Sequence, residues 1–154
     1  MGTINMSRVI LGGLAAGVVI DIGEGLINGV VLAADWAQVM KTMGKPEQMS
    51  GGQLAMLNIL GLVMGILAVW LYAAIRPRFG AGPRTAVIAG VAFWALAYAL
   101  PSAAPLIFEF FPARMMMIAL AGGIIEVLLA VQVGARIYKE EEAAGAVSAA
   151  AAGR

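Results

Sequence analysis

VILGGLAAGVVIDIGEGLINGVVLAA, residues 9–34, is the stretch on which the architecture turns. A helix needs about 20 predominantly apolar residues to cross a bilayer, and this run supplies them. Yet it carries Asp21 and Glu24 near its centre and Asn28 beyond them. On an insertion scale each central acid costs about 2.5–3.5 kcal/mol, while each Leu, Ile, Phe or Val returns only about 0.3–0.6. The helix therefore inserts only with help from its neighbours. An ionisable group at that depth marks a proton, ion or polar-ligand site by default.

Gly13, Gly17, Asp21, Gly25 and Gly29 recur every four residues and form one ridge of a helix. Glycine on a membrane helix lets another backbone approach closely, where lipid gives no hydrophobic drive to association. Glu24 and Asn28 stand beside that ridge, so the polar stripe belongs to a packed face.

Three further runs are long enough to span, at about residues 54–75, 86–105 and 115–137. The second carries Asn58, Gly61 and Gly65 on one stripe. The third carries Tyr98 close to its middle. The fourth carries Glu126 on a face with Gly122 and Gly123. These positions predict a single all-α domain over residues 1–138, a four-helix antiparallel bundle with a midplane pocket, followed by a solvated tail over residues 139–154. The first run is not read as a cleaved signal, because two acids interrupt it and three spans follow.

Composition agrees with this class and excludes others. The chain is 62% hydrophobic and 12% charged, a balance suited to lipid as solvent. A net charge of +1 supplies no basic stripe for nucleic acid. Without cysteine or histidine the usual thiolate and imidazole metal ligands are missing, and no nucleophile set or phosphate-cradling loop is present. The expectation is a non-enzyme with no metal and no cofactor. Seven of ten methionines, Met40, Met43, Met49, Met56, Met115, Met116 and Met117, fall toward the outer side, but methionine is ordinary adaptable packing in apolar surroundings.

Basic residues set the orientation. Arg8, Arg76, Arg78, Arg84, Arg136, Lys139 and Arg154 fall on one side, against Lys41, Lys45 and Arg114 on the other, which puts both termini in the cytoplasm. Residues 76–84 read as a Pro/Gly-broken inner turn. On the outer side, Trp36, Val39, Met40 and Met43 lie on one face of a short helix ended by Gly44, an interfacial element or a lid. The aromatic connection over residues 101–112 should rest at headgroup level.

No Lys or Arg lies near the middle of a span, so no single-chain salt bridge is available at midplane. The acids then hold protons or an external cation. Asp21, Glu24 and Glu126 are the candidate ligand- or proton-binding groups, with Asn28, Asn58 and Tyr98 as uncharged supports. The same residues can also serve as interhelical glue. The lipid bilayer is the expected partner, with a homo-oligomer or a larger membrane complex beyond it.

The stretch over residues 70–80, WLYAAIRPRFG, together with the Gly/Asp/Glu/Asn pattern of residues 21–28, resembles small four-span bacterial proteins of unknown function. That resemblance implies a bacterial inner membrane and no particular activity. In outline the chain is also similar to the small multidrug resistance transporters, which pair a membrane glutamate from each of two subunits to exchange protons for cationic drugs. It departs from them in the long connection over residues 35–53, in having acids in both the first and fourth spans, and in lacking their third-helix motif.

Overall fold

A computed structural model describes residues 4–139. Apart from Lys139, the tail expected over residues 139–154 lies outside them. The described residues are all helical apart from turns and connections: α1 (Met6–Leu26), α2 (Ala33–Thr42), α3 (Gly51–Phe79), α4 (Pro83–Trp94), α5 (Leu100–Ile107) and α6 (Ala113–Ile137). A π-helical turn, Ile27–Val31, extends α1, and a second, Ala95–Ala99, joins α4 to α5. Four helices are long and apolar enough to cross a membrane, Met6–Val31, Gly51–Phe79, Pro83–Ile107 and Ala113–Ile137.

Each span has local reasons for where it starts. Asn5 caps α1 by accepting the Arg8 amide at 3.0 Å. Ser50 and Gln53 form a reciprocal capping box at α3, which satisfies two otherwise orphaned donors. Pro83 opens α4 at a position where its missing N–H costs nothing.

The turn between α3 and α4 is tighter than the sequence suggests. Helix α3 runs through Pro77 to Phe79, because a proline in the last turn removes only one internal bond, and the Gly80 amide still closes on the Arg76 carbonyl at 2.8 Å. The reversal is left to residues 80–82, where Gly80 (φ 85°) and Gly82 (φ 126°) hold backbone angles that side chains disfavour. Thr85, 1% exposed, donates to the Gly80 carbonyl at 2.7 Å, and the Gly82 amide donates to the Tyr72 hydroxyl at 3.3 Å.

Packing reverses the pattern of a soluble protein. Large side chains such as Leu14, Val18 and Ile22 on α1, Val63 and Leu67 on α3, and Ile125 and Leu129 on α6 point outward. Small residues make the contacts between helices. A Cβ on Gly13 would collide with Ile66, and one on Gly65 with the Gly13 carbonyl and Gly17 backbone. On the other flank of α1, a Cβ on Gly12 would come 2.8 Å from the Gly134 carbonyl oxygen. Helix α1 is thus wedged between α3 and α6.

Two apolar clusters result. The larger, including Val9, Ala16, Ile20, Val69, Phe93, Val127 and Val131, fills the end near the α3–α4 turn. The smaller lies under α2, where Leu32, Val39 and Met115 are buried against Trp36 and Phe111.

Candidate functional site

Between the two apolar clusters lies a set of polar side chains. Glu126, 4% exposed, accepts a hydrogen bond from the Tyr98 hydroxyl at 2.8 Å through Oε1. Its other oxygen, Oε2, is buried and accepts from no N–H or hydroxyl group. That oxygen packs on Gly23 of α1, where an added Cβ would overlap it and would lie 2.7 Å from Glu126 Cβ. An unmet buried acceptor is costly, about 1–3 kcal/mol and more for a charged group.

Glu24 is half-buried and stands close enough to Glu126 and Tyr98 to interact with both. Asn28 Nδ2 donates to Glu24 Oε2, and the Trp36 indole N–H donates to Asn28 Oδ1 at 3.0 Å. Polar contacts therefore run from the start of α2 to the middle of the fourth span.

The backbone places these groups by two irregular turns. Asn28 lies in the Ile27–Val31 π-turn, and the Leu32 amide reaches back five residues to the Ile27 carbonyl at 2.8 Å. Tyr98 lies in the Ala95–Ala99 π-turn, where the Leu100 amide bonds to the Ala95 carbonyl. Proline at 101 gives a physical cause for the second, since it cannot donate to the Ala97 carbonyl and crowds it. Single π-turns inside α-helices recur at functional sites.

Glycine completes the setting. A Cβ on Gly123 would sit 2.9 Å from the Tyr98 ring, and one on Gly122 would run into Ile27. The Trp94 indole donates to the Leu120 carbonyl at 3.1 Å, pinning the third span to the fourth beside Tyr98.

Not every expected residue joins this set. Asp21 faces α3, where Gly61 leaves space for its carboxylate, and among the described residues it has no hydrogen-bond donor. It remains within electrostatic reach of Glu24 and Glu126. Asn58 stands apart: it is exposed, and its amide donates at 2.7 Å to the Leu54 carbonyl of its own helix. Gly13, Gly17, Gly61, Gly65, Gly122 and Gly123 all meet neighbouring groups, whereas Gly25 and Gly29 have nothing within 4 Å. Gln132 donates to the Pro83 carbonyl at 3.0 Å, an interhelical contact.

Three contributors are not apparent from residue spacing. Trp36 reads as an interfacial anchor, Trp94 as an ordinary apolar-helix residue, and Gly23 lies off the glycine ridge. Only its place beside Glu24 hints at the role of Gly23. At the mouth of the set, Arg114 pairs with Asp35 at 3.2 Å, and Trp36 meets Phe111 edge-on at 5.9 Å, tying α2 to the start of α6.

Among the described residues no group of three or more carboxylates is arranged to hold a metal ion. Comparisons with protein-family models, curated proteins and solved structures return no match.

Proposed function

We propose that this chain is a non-enzymatic, multi-pass membrane protein whose midplane carboxylates bind or relay a proton, cation or polar ligand, as in a small proton-coupled transporter. The observation that carries this reading is the buried Glu126 carboxylate, half satisfied by Tyr98 and half unmet, with Glu24 and Asp21 nearby. Interhelical glue alone predicts paired groups; an unmet oxygen beside two more acids favours a site with an exchangeable occupant.

We further propose an antiparallel bundle with both termini cytoplasmic, in a bacterial inner membrane. The contacts Gly13 with Ile66 and Gly17 with Leu62 favour opposed directions for the first two spans, because one number rises as the other falls. The seven-to-three split of basic residues favours the orientation. The test is Glu126→Gln and Asp21→Asn in reconstituted protein. Folded protein that has lost pH-linked ligand or ion binding supports the reading; unchanged coupling rejects it.

A second reading, a non-transporting accessory subunit or homo-oligomer, rests on a different observation. The outer part of α3 is exposed over residues 51–60, and Gly25 and Gly29 face open space beside it. Gly25→Leu would then release a companion chain while sparing the fold. Mass spectrometry of gently extracted complexes reads that loss.

A further inference from the structure

We propose that the occupant of the Glu126 position is the proton itself, delivered by Glu24 from the α2 end of the bundle. This deepens the reading of a midplane binding site and rests on it. The first argument is steric. Glu126 Oε2 is out of reach of a water-sized particle and lies against Gly23, where even a methyl group does not fit. A hydrated ion or an ammonium group needs that space; a proton bound to Oε2 needs almost none, and it turns an unmet acceptor into a neutral group. Multivalent coordination is disfavoured by the absence, among the described residues, of a three-carboxylate arrangement.

The second argument is access. Toward the α3–α4 turn, Ile20, Val127, Ala130 and Phe93 form buried apolar packing, and the Asp21 carboxylate is turned to Gly61 on α3. Toward α2, Glu24 is half-buried where Glu126 is sealed. Indole and amide N–H groups do not hand protons on, so Trp36 and Asn28 hold Glu24 in position while its carboxyl group is the carrier. The titratable groups facing Glu126 are Asp21 and Glu24 from the first span and Tyr98 from the third. In the transfer, a proton on Glu24 passes to Glu126 Oε2, leaving Glu24 as carboxylate to be reprotonated from the α2 side.

The test is infrared difference spectroscopy of the full chain in lipid vesicles, following the carbonyl band of a protonated buried carboxyl after a pH step. Because the chain has no cysteine, Lys45→Cys labelled with a membrane-impermeant reagent reports which side faces out. The expected result is a band lost in Glu126→Gln, shifted in Glu126→Asp, and retained but slowed in its response in Glu24→Gln. The band responds to acid on the α2 side and not to acid on the opposite side. Glu126→Asp keeps the test decisive if the amide variant does not fold. A response only from the opposite side, or an unslowed Glu24→Gln, overturns the route. A band displaced by sodium or tetraethylammonium overturns the proton as occupant while leaving a binding site in place. No band at any pH, with no cation bound, overturns both.

Discussion

The Tyr98 hydroxyl meets Glu126 Oε1 at 2.8 Å because a π-turn swings the tyrosine into the third–fourth span interface and Gly123 leaves room for its ring. Tyr98→Phe deletes the donor and keeps the ring. Its expected cost is about 1–3 kcal/mol, since a buried carboxyl then loses its one hydroxyl donor. Unfolding in mixed micelles checks this, and a variant as stable as wild type would mean that Glu126 finds another donor.

Glycines from the stripes of the first two spans should behave in opposite ways. Gly65→Leu drives a side chain into the Gly13 and Gly17 backbone, which cannot rotate away, so α1 and α3 should separate and the folded bundle should be lost. Gly29→Leu meets open space and should leave helicity and melting temperature unchanged. Circular dichroism in detergent distinguishes the two, and equal damage from both would contradict the α1–α3 packing.

Much of the bundle was legible because bilayer thickness dictates run length, and α2 because its apolar residues recur on one face. Span ends were less so. Capping at Ser50 and the tolerance of Pro77 in a final turn both lengthen α3 beyond what hydropathy suggests. The acids Asp21, Glu24 and Glu126 were visible as misfits in apolar runs. Face and depth group Asn58 with them, but it satisfies its amide on its own helix. The π-turns were hidden, because an extra residue in a turn needs no special side chain, and only Pro101 gives a hint of one. They shift every later residue around the helix, and so change which side chains meet.

The α2 cover should be held weakly by charge and more firmly by packing. Arg114 is largely exposed, so the Asp35 pair is worth about 0.2–1 kcal/mol and weakens with salt. Removing Trp36 costs more, because the indole fills the Leu32–Val39–Met115 cluster and bonds Asn28. A Trp36→Phe and Arg114→Gln double-mutant cycle, read by hydrogen exchange of α2 amides, should show the larger opening from the tryptophan. A dominant effect of Arg114 would reverse that ranking.

Thr85→Val removes the hydroxyl that bonds the Gly80 carbonyl in the α3–α4 turn. The expected loss is about 1 kcal/mol, a typical net value for one hydrogen bond, with no effect on Asp21, Glu24 and Glu126. Stability measured beside ligand or proton binding checks both halves, and altered binding would show that the turn communicates with the site.

The most direct measurement of the central claim is a potentiometric proton titration of purified wild-type and Glu126→Gln protein in the same lipid, taken across neutral pH. The account predicts that the wild type takes up protons there that the variant does not, with both folded. Superimposable curves, with no cation bound in their place, would contradict it.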